Sequence, residues 1–297
     1  MSIPLSHIFD TSFKDGVIPS SWKTASVTPI YKKGCTFDPN NYRPISLTST
    51  CCKAMERIIN ASIHKYLASY HLISGSQHGF LSKRSTATNL LECITDWAYN
   101  IENRLVNDVI YFDFRKAFDS VSHPKLIDKL QAYGIKGHLL RWLSCFLTDR
   151  SQCVKIGDAT STLSRVTSGV PQGSVLGPTL FLIFINDLCD LLDDLDIKYK
   201  LFADDLKMYA PSKPNSVSSD MATALLRIES WCDTWQMNLA HDKCFCIRVF
   251  EKSFSSPPSS YLLHNDPLKI CNSVKDLGVV VDCHLNFSEH ISAIIYS

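Results

Sequence analysis

No stretch of this 297-residue chain has the ~20 consecutive apolar residues that a membrane-spanning helix needs. The longest apolar run, Val175 to Ile185, is far shorter and is interrupted by Gly177 and Pro178. No membrane partner is therefore expected. Secretion is not expected either, since Met1 to Lys14 has no basic start and reaches Asp10 before a greasy run could form. None of the twelve cysteines forms a CxxC pair. Cys244 and Cys246 near His241, and Cys283 before His284, lack zinc-finger spacing, so reduced, buried thiols are the expectation. Net charge is nearly absent as well, at +1, which argues against a nucleic-acid partner until it is divided along the chain. Residues 1–84 carry ten Lys or Arg against four Asp or Glu, a balance of +6, leaving −5 for the remainder. A basic part can hold phosphates while an acidic part holds cations.

What is present is a chain able to bury a large core, with 45% hydrophobic residues and a mean hydropathy of −0.01, as in a soluble globular protein. Ser122 and Pro124 open a helical pattern through Leu126, Ile127, Leu130 and Tyr133 that Gly134 ends, and a second amphipathic helix runs from His138 to about Thr148. Asp108 to Phe114, Tyr199 to Phe202 and Leu206 to Tyr209 read as strands, the last two separated by a tight acidic turn. Pro211 to Ser219 and Ser253 to Ser260 read as surface loops. Helices and strands are mixed, an α+β pattern.

Two acidic sites stand out. Val109 to Asp113 reads as a buried strand ending in a charge, and an unpaired buried carboxylate calls for a metal or basic partner. Asp204 and Asp205 sit side by side between two strand-like runs. An Asp-Asp turn alone is commonly a local hairpin device. Three carboxylates converging from neighbouring strands would hold magnesium, which prefers hard oxygen ligands and keeps several waters. Asp113 and Asp204 are expected to bridge the ions, with Asp205 a weaker or outer ligand.

Phe112-Asp113-Phe114-Arg115-Lys116-Ala117-Phe118-Asp119 resembles the first catalytic motif of non-LTR (LINE-like) retrotransposon reverse transcriptases, and Phe202-Ala203-Asp204-Asp205 resembles their central motif. Between them, Ser168 to Pro178 is similar to the loop-and-helix motif beside the incoming nucleotide. The likeness extends through Asn41 to Leu47, Gln77-His78-Gly79-Phe80 and Lys275-Asp276-Leu277-Gly278, nearly the whole chain. It implies an RNA-directed DNA polymerase that joins dNTPs to a DNA primer on an RNA template, with two Mg2+ ions for which Mn2+ could substitute. It implies Phe118 as a steric gate against the ribose 2′ hydroxyl, Arg43 with Lys32 or Lys33 on the triphosphate, and Gln172 on the nucleotide, with Gly169 and Gly173 permitting close backbone approach. Lys243 resembles the lysine that protonates the leaving pyrophosphate. Asp119 and Asp187 are read as structural, the first helping to start the helix after Ser122 and the second capping the helix through Phe184.

The implied architecture is a right-hand polymerase: fingers at about 1–105 and 120–165, an antiparallel palm sheet at about 106–119 and 166–250, and a primer grip with the start of a thumb at about 251–297. Family members usually carry an endonuclease before this region and more thumb after it, so a fragment or decayed copy of a mobile element is expected, with nuclear action implied by resemblance alone. The rival reading is a relic or domesticated nucleic-acid-binding module that keeps the fold without efficient catalysis. An RNA-dependent RNA polymerase would use similar carboxylates, but Phe118 speaks against it.

Overall fold

The computed structural model describes residues 3–214, 216–253 and 260–296, so most of the second expected loop, 254–259, lies outside the described residues. The chain divides into two units, Met1–Ile73 with Lys116–Phe184, and Ser74–Arg115 with Ile185–Ser297. Among the described residues no helix is long and apolar enough to cross a membrane.

In the first unit, Thr24–Tyr31 pairs antiparallel with Tyr42–Leu47 and parallel with Arg150–Ile156, which in turn pairs with Ala159–Thr160 and Ser164–Val166. Helix Thr50–Ser69 starts at Ser49, whose hydroxyl accepts from the Cys52 amide and satisfies one of the donors a helix start leaves open. Helices His123–Ala132 and Gly137–Leu147 follow the expected pattern, with Leu126, Leu130, Trp142, Leu143 and Phe146 fully buried. Between them Gly134 takes φ +82°, and a Cβ there would meet the Tyr66 hydroxyl at 2.6 Å.

In the second unit a five-stranded sheet has the order Lys269–Cys271, Phe245–Val249, Val106–Phe112, Asp205–Ser212, Lys198–Phe202. Its pairings are antiparallel except at the edge, where Lys269–Cys271 runs parallel to Phe245–Val249. Helix Thr86–Glu102, begun by a reciprocal Ser85–Thr88 capping box, lays Cys93 and Trp97 against Val109, Tyr209 and Ile247. The central strand is buried along its whole length. Pro211 and Ser212, expected in a loop, instead finish the Asp205–Ser212 strand opposite Asn107 and Val106.

Candidate active site

Register brings the acidic residues of the second unit together. Phe112 pairs with Leu206, so Asp113, one step beyond Phe112, comes level with Asp205, one step before Leu206. Directly opposed residues of an antiparallel pair project on the same face. Asp113 and Asp205 accordingly line one cavity of about 180 Å³, with Lys207, Lys243, Lys275 and Asp276 also in its wall. The Phe202–Asp205 pair closes a two-residue hairpin loop, Ala203-Asp204, in which Ala203 takes φ +58°. A left-handed alanine is strained backbone of the kind that persists only where its surroundings hold it.

After Phe112 the chain leaves its ladder with Asp205–Ser212 and is braced by another segment. The Asp113 carbonyl accepts from the Ala240 amide at 2.7 Å, Phe114 bridges Leu239, and the Arg115 amide donates to the Asn238 carbonyl at 2.7 Å. A single turn, His241–Lys243, then carries the Lys243 Nζ to 3.7 Å from Asp113 Oδ1. The Asp113 side chain is 43% exposed, so burial is not what calls for a cation there. The buried charge of this strand is Asp108, gripped by Arg248 through Nε at 2.7 Å and a second nitrogen at 2.9 Å and by the Tyr261 hydroxyl at 2.9 Å. A second buried pair, Lys207 with Asp276, also takes the Tyr111 hydroxyl.

Surrounding protein, then the charges of Asp204 and Asp113, push the Asp205 carboxyl up to about 6. Asp205 is exposed, so the like-charge repulsion is the part a cation would remove. Among the described residues no three His, Cys, Asp or Glu side chains are gathered to hold a metal ion. Magnesium needs no such cage, being held by one or two carboxylates together with substrate phosphates. Asp113 and Asp205, two hard oxygen donors lining one cavity, fit that mode of binding. Without divalent ions, ionised Asp205 costs stability above pH 6, and that cost fades as the pH falls toward its unfolded value near 4. Asp205→Asn is therefore expected to melt above the parent chain at pH 7.5 without magnesium. The gap should close at pH 4, as differential scanning fluorimetry would read.

In the first unit the turn bearing Phe118 is stitched to the loop bearing Gln172. The Val170 amide donates to the Phe118 carbonyl at 2.8 Å, the Gly169 amide to the Val121 carbonyl at 2.8 Å, and the Ser168 hydroxyl to the Asp119 carbonyl at 2.9 Å. Gln172 Nε2 donates to Asp119 Oδ1 at 2.9 Å, and its carbonyl accepts from the Ser46 amide at 2.7 Å. Asp119 thus lies in the short helix Ala117–Ser120 as the partner of Gln172, and does not start the helix after Ser122. Burial raises its carboxyl pKa, opposed by the Gln172 bond and the charges of Lys116 and Lys32. That places Lys32 within electrostatic reach of Asp119, while Lys32, Lys33 and Arg43 are all exposed on or beside the paired strands Thr24–Tyr31 and Tyr42–Leu47. The half-buried Phe118 ring stacks on Phe181 at 4.3 Å.

The loop's two glycines are required by the protein's own backbone. A Cβ on Gly169, at φ +89°, would meet the Asp119 Cα at 2.7 Å, and one on Gly173, at φ +101°, would meet the Ser46 carbonyl oxygen at 2.7 Å. Beyond the loop, buried Glu56 accepts the Val175 and Leu176 amides through Oε2 at 2.7 and 3.0 Å, holding the start of helix Gly177–Ile185. Asp187 opens the next short helix, Asp187–Asp190, and accepts from Trp231 Nε1 at 2.9 Å, so it does not cap the helix through Phe184. All twelve cysteines are free. Cys244 and Cys246 are buried, and burial pushes their thiols up to about 11 and about 12.

Sequence reasoning missed Glu56, which holds the loop of the first unit, and the Lys207–Asp276 pair in the cavity wall of the second. A lysine inside the apolar strand Leu206–Tyr209 was the available signal, since such a residue needs a buried counter-charge.

This mixed α+β chain has the fold of right-hand polymerases. The apo telomerase of Candida tropicalis truncated from its C-terminal domain matches with a TM-score of 0.62 at 14% identity, over 96% of this chain and 59% of that one. The telomerase of the same species in complex with a TWJ fragment of telomeric RNA matches with a TM-score of 0.60 at 13% identity, over 96% and 48%. Residues 30–281 match the family described as reverse transcriptase (RNA-dependent DNA polymerase), and the chain belongs to that family, in the branch carried by non-LTR retrotransposons. It is 30% identical over 297 residues to the RNA-directed DNA polymerase from mobile element jockey of Drosophila melanogaster, covering 98% of this chain and 32% of the relative. It is 27% identical to the probable RNA-directed DNA polymerase from transposon BS of the same species, covering 97% and 33%. The chain spans about a third of the length of these curated relatives. Polymerases of this family generally use divalent metal ions.

Proposed function

We propose that this chain is the RNA-directed DNA polymerase domain of a non-LTR retrotransposon, joining dNTPs to a DNA primer on an RNA template. The observation that carries this reading is the register that sets Asp113 level with Asp205 beside the Asp204 hairpin tip, with Lys243 over Asp113. Asp113, Asp204 and Asp205 would hold two magnesium ions, or manganese in their place. Bound there, the metal would stabilise negative charge on the attacking 3′ oxygen and on the leaving oxygen of the pyrophosphate.

The protein's own groups do the rest. Asp113 and Asp204 would bridge the cations with Asp205 as an outer ligand, and the charges of Asp204 and Asp113 on Asp205 favour a positive charge among the three. Lys243 is a cationic donor poised at the Asp113 side of the cavity, suited to protonating the departing pyrophosphate. Arg43 forks onto triphosphate oxygens, and Lys32, whose charge reaches Asp119, is the better of the two neighbouring lysines for the same phosphates. Gln172 and Gly173 present the loop edge to the nucleotide. The fingers, palm and primer-grip boundaries at about 1–105 with 120–165, 106–119 with 166–250, and 251–297 belong to this proposal.

Primer extension tests the reading. Incorporation of dNTPs that depends on an RNA template and on magnesium supports it; incorporation no greater than that of Asp204→Ala overturns it in favour of a non-catalytic nucleic-acid-binding module. Phe118 is the proposed gate, a wall that selects by exclusion. Phe118→Ala is expected to raise ribonucleotide use relative to dNTP use by about tenfold or more, the effect of ~1.4 kcal/mol. Unchanged discrimination in single-nucleotide incorporation removes the assignment.

A further inference from the structure

The segment Gln77-His78-Gly79 has no part in the proposed chemistry, yet it sits directly on the hairpin that carries Asp204 and Asp205. Buried Gln77 accepts through Oε1 from the Ala203 amide at 3.0 Å and from the Gly79 amide at 2.7 Å, while its Nε2 donates to the Ala203 carbonyl at 3.4 Å. One side chain thus holds both backbone polar groups of the strained, left-handed residue that precedes the carboxylate pair. Backbone bonds brace the same strand: the Leu201 amide donates to the Ser76 carbonyl at 2.9 Å, and the Leu201 carbonyl accepts from the His78 amide at 2.8 Å. Gly79 is there because nothing larger fits, as a Cβ would lie 2.3 Å from the Ala203 nitrogen.

The segment is itself anchored. Buried His78 joins Thr88 through Nδ1 at 2.9 Å and accepts from Arg84 through Nε2 at 3.1 Å. Arg84 donates to Glu92 at 3.0 Å, and Glu92 pairs with Lys200 on the same hairpin. A ring of polar contacts therefore runs from the clamp through helix Thr86–Glu102 and back to strand Lys198–Phe202.

We propose that Gln77 and Gly79 are positioning residues that clamp Ala203 in its left-handed turn and thereby set where the Asp204 and Asp205 carboxylates stand for metal binding. This rests on the polymerase reading for its consequence, but the clamp has a readout of its own. Groups that orient ligands without touching a metal typically control its affinity by about 10- to 100-fold.

The experiment compares Gln77→Met, Gly79→Ala and a matched control, Ile247→Val, which trims the buried core away from the hairpin. Manganese binding to the free protein, amide exchange at Ala203 and melting temperature are read on each. Both clamp variants are expected to weaken manganese by roughly tenfold or more and to speed Ala203 exchange by a similar factor. Ile247→Val, at a comparable melting temperature, should do neither. Should Gln77→Met fail to fold, Gly79→Ala carries the same readouts. Parental manganese affinity in the clamp variants overturns the proposal, as does unchanged Ala203 exchange. If the parent chain binds no manganese without nucleotide, primer extension decides the polymerase reading and the exchange result alone decides the clamp.

Discussion

Replacing Asp204 with alanine is expected to lower template-directed extension by roughly 10³- to 10⁴-fold, the loss of ~4–5 kcal/mol of transition-state stabilisation. In the proposed reaction the three carboxylates act through cations they hold in common, so the losses should not add. Asp113→Ala and Asp204→Ala should each remove most of the activity, and the double variant little more. The protein itself should survive. Both side chains are partly open to solvent, and removing one relieves the repulsion on Asp205. Rapid-quench extension of a labelled primer measures the effect, with circular dichroism on the same samples to confirm folding. A variant within tenfold of the parent would contradict the assignment.

Asp276→Ala should have the largest effect on stability, a loss of roughly 3–5 kcal/mol, because it strands the Lys207 ammonium in the interior without its partner. The Tyr111 hydroxyl, which donates to Asp276 at 3.0 Å, loses its acceptor at the same time. A melting temperature lower by on the order of 10 °C is expected. The double variant Lys207→Met with Asp276→Leu should recover most of it, since a buried pair replaced by apolar groups of similar size is often close to neutral. Chemistry should respond too. Lys207 lies in the cavity wall with Asp113 and Asp205 and already lowers the Asp205 carboxyl's pKa. Freed of Asp276, its charge competes with magnesium, so more ion should be needed for half-maximal extension. A stability change under about 1 kcal/mol would refute the buried-pair account.

Local signals were legible where local chemistry decides the outcome. Ser122, Pro124 and Gly134 bracket a helix that forms at His123–Ala132, and the tight acidic turn between two apolar runs is the Lys198–Phe202/Asp205–Ser212 hairpin. The polymerase fold was legible through the order and wording of its motifs, which no periodicity would have supplied. What stayed hidden depends on partners far apart in the chain. Asp119 looked like a helix starter because the amide that donates to its carboxylate, on Gln172, lies 53 residues away. Asp113 looked buried because an apolar run precedes it, yet the strand hides Asp108, which finds Arg248 140 residues on. Gln77 and Gly79 could be quoted as part of a motif, but only the left-handed turn at Ala203 says what they hold. The parallel edge strand Lys269–Cys271 is three residues long, too short for alternation to mark.

In the proposed site carboxylates from two strands share divalent ions, and metal-directed cleavage of the chain reports on that sharing. Iron(II) loaded in place of magnesium, with ascorbate and peroxide, cuts backbone close to where the ion sits. Cuts are expected at both the Asp113 and the Asp204–Asp205 segments, suppressed together by excess magnesium and lost together in Asp204→Ala. Cutting at one segment alone, or at both with unequal protection by magnesium, would contradict it.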